Sequence, residues 1–201
     1  MRAPLDDSMS LEDSTDAKLG GMLRAHALSE WRKRASFFPS LQPLAISVRP
    51  VAEHDVPEPY NILLVHNNHM TKVMEDYHCS SMNVRVLERF ADDQTYTRAI
   101  LLISQDIGAV AQFAIAQLHL NAVSDCVRRD ILSEQIPMGR VLLSHKVSCR
   151  IELDSILQVT MDAGLSRLFC APLGAVTYGR LARIFCDGTP AFDVLEVSAP
   201  V

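Results

Sequence analysis

Two alternating runs, Gly179–Phe185 and Ala191–Val197, flank the tetrapeptide Asp187-Gly188-Thr189-Pro190. In an alternating run successive side chains point to opposite faces, and an Asp-Gly pair supplies the positive-φ residues a tight hairpin turn needs. The C-terminal end is therefore predicted to be an antiparallel β-hairpin. A lone hairpin is marginal in water, so it must join further strands. Ser81–Phe90 (Met82, Val84 and Val86 on one side), Thr95–Ile103 and Val110–Leu120 provide them. Asn61–His66 reads as a shorter apolar strand. Helical spacing appears at 22–34, where Met22, Leu23, Ala27, Leu28 and Trp31 fall near one face. It recurs at Met70–His78, at Asp125–Ser133 with a continuation over Arg140–Leu143, and at Glu152–Ala163. Asn67 or Asn68 stands where the Met70–His78 helix needs its N-cap. Pro39, Pro43, Pro50, Pro57 and Pro59 punctuate an irregular stretch that reads as a link or wrap outside the sheet. The expected fold is a single α+β domain, an antiparallel sheet with helices packed on one side enclosing an internal ligand pocket.

The chain has 201 residues, 48% hydrophobic and 21% charged, which matches one globular domain with a sizeable core. A formal net charge of −5 argues against a nucleic-acid partner, since phosphate contacts favour basic surfaces. No apolar run approaches the ~20 residues that span a bilayer. The opening MRAPLDDSMSLEDSTDAK lacks the apolar core of a secretory signal, so a cytoplasmic location is expected. Residues 1–20 read as a disordered tail, and residues 1–45 as an N-terminal extension to a domain over 46–201. Cys79, Cys126, Cys149, Cys170 and Cys186 are odd in number and form no CxxC pair, so reduced, mostly buried thiols are expected. His66, His69 and His78 straddle a strand-to-helix turn rather than presenting a regular ligand set, and no metal is expected there. Ser144, His145 and Cys149 are sequence neighbours without nucleophile–base geometry. Neither a GxGxxG nor a Walker motif occurs, so no nucleotide cofactor is expected.

Charges stand where a core should be. Residues two apart on a strand share a face, so Arg98 keeps company with Tyr96, Ile100 and Leu102, and Glu196 with Phe192 and Val194. A buried ion is costly and needs a partner or a ligand. As pocket residues, Arg98 offers a planar fork to a carboxylate, and a desolvated Glu196 offers a neutral acid that donates a hydrogen bond. Alternatively both sit on partly hydrated faces or pair with each other. The opposite face (Thr97, Ala99, Leu101, Ile103) is apolar too, so parity leaves the inward face open. Arg183, beside Leu181 and Phe185 in parity, is a third candidate cation. Arg140 and Arg180, each next to a glycine, read as surface charges.

Four ordered blocks resemble the bacterial chorismate lyase family, enzymes of ubiquinone biosynthesis. They are Ile62-Leu63-Leu64 running into Met70-Thr71-Lys72, Tyr96-Thr97-Arg98 with the apolar residues that follow, and Ile136-Pro137-Met138-Gly139-Arg140. The fourth is the C-terminal set of Asp162–Leu165, Gly179–Ile184, Gly188-Thr189-Pro190 and Leu195-Glu196. Together they span about residues 60–200. The resemblance implies a central antiparallel sheet, helical flaps over an internal site, and a reaction without cofactor or metal in which chorismate loses pyruvate to give 4-hydroxybenzoate. It assigns Arg98 to the ring carboxylate and Glu196 to the ether and hydroxyl oxygens as the catalytic pair. Met70 and Met138 are assigned to backbone contacts with the substrate, and Arg183 joins them as a substrate-binding candidate. The implied partner is a small carboxylate-bearing aromatic or pre-aromatic acid, and the implied assembly a monomer or homodimer. The family's second arginine, on the strand after that of Arg98, has no counterpart, because Ala111–Gln117 carries none. The same fold resembles the effector-binding domain of GntR-type transcription regulators. Residues 1–60 are too acidic and proline-broken for the winged helix of such regulators. A non-catalytic acid-binding protein and an enzyme on another enol or aromatic acid are therefore the alternative functions.

Overall fold

The structure, a computed structural model, describes residues 21–22, 25–41 and 44–201. Seven strands form one antiparallel sheet in the order β1-β5-β6-β7-β4-β3-β2. In chain order these are β1 (Ala45–Val51), β2 (Met82–Ala91), β3 (Thr95–Ser104), β4 (Val110–His119), β5 (Cys149–Met161), β6 (Val176–Cys186) and β7 (Thr189–Ser198). The helices are α1 (25–35), α2 (Tyr60–Leu64), α3 (Met70–His78), α4 (Asp125–Leu132), α5 (Met138–Ser144) and α6 (Ala163–Phe169). The α+β class and the antiparallel sheet are as the alternating runs predict. At the β6–β7 turn Asp187 and Gly188 have φ of 49° and 83°, the two positive values that match the twist of the flanking strands. Among the described residues no helix is long and apolar enough to cross a membrane.

Strand parity sorts the core into two sides. Ala99, Leu101, Phe113, Ile115, Leu181, Leu195 and Val197 point one way, onto Ala27, Trp31 and Ala35 of α1 and Leu165 of α6. The 25–35 helix thus docks on the sheet, although it lies in the segment read as an extension. Ile100, Leu102, Ala114, Ala116, Ile184 and Val194 point the other way, beneath α2, α3, α4 and α5. These four helices cover the face where flaps are expected, while α1 and α6 cover the other, so helices pack on both sides of the sheet and not on one. The tail read over 1–20, and Leu23, lie outside the described residues.

Several local expectations are corrected. Asn61–His66 is not a strand. Its Asn61 and Leu63 amides donate to Pro57 and Pro59 carbonyls at 3.1 Å, winding the segment into α2. Glu152–Ala163 is not a helix but most of β5 and the approach to α6. The proline-rich stretch does enter the sheet, as edge strand β1. There Pro50 faces Leu157, and an edge tolerates a residue without an N–H. Helix α3 starts after His69, which makes no side-chain cap, so neither Asn67 nor Asn68 is the N-cap residue. Cys79, Cys126 and Cys170 are exposed rather than buried, and Cys186 is buried with its Sγ 3.8 Å from that of Cys149.

Candidate functional site

Arg98 projects from β3 toward α4 and is 1% exposed. Its Nη1 donates to the Ile131 carbonyl at 3.3 Å, while its Nη2 is buried without an acceptor. Burial lowers the guanidinium pKa below 12.5, and nearby Tyr96 and Glu134 act in the opposite direction. Glu134 is engaged elsewhere. It accepts from the Tyr96 hydroxyl at 2.5 Å and pairs with Arg89 at 3.0 Å. Burial, helped by that hydrogen bond, pushes the Tyr96 phenol up to about 12. Among the described residues Arg98 forms no ion pair and keeps one unmatched donor.

Glu196 is 7% exposed and faces Arg180 directly across the β6–β7 pairing. Arg180, 1% exposed, donates from Nε to Glu196 Oε2 at 2.6 Å. Its Nη1 reaches the Leu64 carbonyl at 3.4 Å, the His66 carbonyl at 2.9 Å and His66 Nδ1 at 3.1 Å. With Nδ1 accepting, the His66 hydrogen sits on Nε2, which donates to the Leu63 carbonyl at 2.9 Å. Burial first, then the charge of Arg180, lower the His66 pKa from 6.5. A Cβ on Gly179 would lie 2.6 Å from the Glu196 carbonyl oxygen, so only glycine permits this close pairing. The expected lone, neutral Glu196 is thus half of an ion pair, and its partner is an arginine read as a surface charge. The missed signal was parity: Arg180 shares a face with Ala182 and Ile184, opposite the face that led to Arg183.

Arg98, Gln112, Arg180 and Glu196 line one cavity with an apolar floor that includes Ile100 and Ala114. Met70 and Thr71 of α3, and Met138 and Gly139 of α5, form the roof. The structure therefore brings together four of the five residues singled out as site candidates. Arg183 does not join them. Its odd parity turns it outward, where it pairs with Asp193 at 3.3 Å. The roof is shut at Gly139, where an added Cβ would stand 2.8 Å from Thr71 Oγ1. Arg140 fastens α5 to α3 through Glu75 and donates to the Met82 carbonyl at 3.3 Å. The cavity volume is about 40 Å³. That is room for ordered water, whereas pockets holding small ligands measure ~300–1,000 Å³.

Gln112 is the residue sequence reasoning overlooked. It is 1% exposed, and its Nε2 has no partner. A polar residue on the parity of Ala114 and Ala116 was the available signal. A larger cleft of about 510 Å³ lies over the part of β5 that β1 leaves unpaired, between α1 and the His66–Asn67 loop. Its charges largely answer one another: Arg34 pairs with Glu30 at 2.5 Å, and Arg183 with Asp193. The larger cleft holds one buried, unsatisfied donor, Arg34 Nε, on a guanidinium already paired with Glu30 and Asp193. The smaller cavity holds two, Arg98 Nη2 and Gln112 Nε2, and Arg98 has no carboxylate partner; the smaller cavity is the better site. Among the described residues, no three His, Cys, Asp or Glu side chains gather closely enough to hold a metal ion.

No family model matches the sequence, and no curated protein matches it. Among solved structures the chain is similar to PhnF from Mycobacterium smegmatis, with a TM-score of 0.50 at 10% identity. That superposition covers 68% of this chain and 65% of PhnF. The effector domain of the same protein gives 0.46 at 10% identity over 66% of this chain and 88% of that one. A GntR-family transcriptional regulator from Enterococcus faecalis gives 0.42 at 12% identity over 58% and 92%. At 10% identity the likeness to PhnF is one of fold: the two chains share an architecture over about two thirds of each.

Proposed function

We propose that this chain binds a small, flat organic acid in the closed cavity, with Arg98 as the carboxylate clamp. The observation that carries the reading is the buried Nη2 of Arg98, which has no acceptor. A desolvated cation with a free donor is costly to the empty protein, and a ligand carboxylate removes that cost with a charge-assisted hydrogen bond. The floor of Ile100 and Ala114 suits the face of a ring. The fold shared with PhnF, and the GntR effector domains it resembles, agree with a binding role. Calorimetric titration with benzoate tests it. Wild type should bind, and Arg98→Met should weaken binding by about 10–100-fold, the worth of a charged hydrogen bond. Equal affinity in the variant rejects the clamp.

A catalytic reading has one specific support. Glu196 stands on the wall of the same cavity, and only its Oε2 is engaged by Arg180. In a chorismate lyase-like reaction Arg98 would orient the ring carboxylate while Glu196 acts at the departing enolpyruvyl oxygen. The ether C–O bond breaks, the hydroxyl-bearing ring carbon gives up its hydrogen, the methylene carbon of the departing enolpyruvate gains one, and the products are pyruvate and aromatic 4-hydroxybenzoate. Incubation with chorismate, followed by a coupled pyruvate assay, decides between the readings. Pyruvate release by wild type but not by Glu196→Gln establishes the enzyme, and none from wild type leaves the binding protein.

A further inference from the structure

We propose that Gln112 reads the far end of the ligand, and that this ligand is a monocarboxylate carrying a neutral hydrogen-bonding group opposite its acid. The inference rests on Arg98 as the carboxylate clamp and adds the chemistry of the other end. Two independent observations carry it.

The first is chemical. Gln112 lines the cavity, is 1% exposed, and has a buried Nε2 with no acceptor. An unmatched buried amide costs as an unmade hydrogen bond does, and a ligand acceptor supplies what is missing. A side-chain amide offers a donor and an acceptor but no charge. The cavity's other buried cation, Arg180, is already matched by Glu196. A second carboxylate at this end would therefore lose its hydration without gaining a free counter-charge.

The second is geometric. In the β3–β4 register Arg98 faces Ala116 and Leu102 faces Gln112, so the two polar residues stand four positions apart on one face. At ~3.4 Å per residue their Cα atoms are about 14 Å apart along the strands. Both side chains line the cavity that lies over the stretch between them. A ligand that meets both must be elongated, as a six-membered ring with substituents at opposite corners is. The floor between them is Ile100 paired with Ala114, and Glu196 is registered with Ala114 from β7. The cavity is thus a ruler: a charged clamp at one end, an amide at the other, and an apolar rest for the ring between.

Three para-substituted benzoates test the ruler by calorimetry. 4-Carbamoylbenzoate ends in a neutral amide, 4-isopropenylbenzoate has nearly its shape without hydrogen bonds, and terephthalate ends in a second carboxylate. Wild type should prefer the carbamoyl over the isopropenyl compound by about tenfold or more, the worth of one buried hydrogen bond, and should bind terephthalate weakest. Gln112→Leu should erase the first preference while keeping the affinity for 4-isopropenylbenzoate. If the leucine variant does not fold, Gln112→Met, of nearly the original length, carries the same expectation. Arg98→Met should weaken all three compounds by about 10–100-fold. A carbamoyl preference that survives in the Gln112 variant, or tight terephthalate binding by wild type, overturns the inference and leaves the clamp standing. Wild-type protein that binds none of the three, or an Arg98 variant that binds as wild type does, overturns the clamp and the ruler with it.

Discussion

Arg98 and Arg180 lie on the same face of one sheet, each 1% exposed, and their surroundings differ completely. Arg180 meets a carboxylate, two carbonyls and an imidazole nitrogen. Arg98 meets one carbonyl and the Tyr96 phenol, and keeps a bare nitrogen. The first arginine is built into the fold: it ties β6 to β7 and both to the segment after α2. The second is left incomplete within reach of a cavity. Burial alone says little about role, and the informative quantity is how far a buried ion's hydrogen-bonding capacity has been met from inside the chain.

The sharpest way to break this comparison is Arg180→Met. It strands the buried Glu196 carboxylate and frees the Leu64 and His66 carbonyls, and should cost about 3–5 kcal/mol in denaturant melts. Adding Glu196→Leu should recover most of that loss. A single variant within 1 kcal/mol of wild type would remove the structural assignment of the pair. Arg98→Met should behave oppositely. The ligand-free variant should be as stable as wild type, or more stable by up to about 4 kcal/mol, because an unmatched cation leaves the interior. A large destabilisation would mean that its bond to Ile131 matters more to the fold than to a ligand.

The smallest effect concerns pH. Burial lowers the pKa values of His66, His69 and His78 from 6.5, with Arg180 adding to the shift at His66. The unfolded chain then takes up protons more readily than the folded one, so stability falls as pH drops through 6.5 toward the folded-state values. His66→Asn should flatten that slope between pH 7 and pH 5 in thermal melts. An unchanged slope would assign the effect to the other histidines.

The fold was legible wherever one period ran without interruption, as in the β6–β7 hairpin, β3 and α3. Strand β5 hid itself. Its register shifts between Leu153 and Ser155, so Ile151 and Ile156 join the cavity side while Leu157, Val159 and Met161 turn to the other. Seen in sequence, Leu153, Ile156, Leu157 and Met161 then imitate the spacing of a helix. Helix α2 hid for a different reason, since a five-residue apolar helix and a short buried strand have the same sequence pattern. At the site, Arg98 and Glu196 stood out as charges among apolar neighbours on strands with a single parity. Arg180 was legible only once the hairpin register set it opposite Glu196. Gln112 raised no alarm because an uncharged amide among alanines does not announce a cost until its hydrogen bonds are counted.

The contact between Gly139 and Thr71 holds α3 and α5 together over a cavity of about 40 Å³, and this has a kinetic consequence for the proposed ligand. A ligand can meet its receptor only during the moments when α3 and α5 stand apart, so its uptake is paced by the protein and not by diffusion. In stopped-flow mixing the observed rate should climb with ligand concentration and then level off at the frequency with which the roof lifts. Bound ligand, for the same reason, should depart slowly even when its affinity is modest.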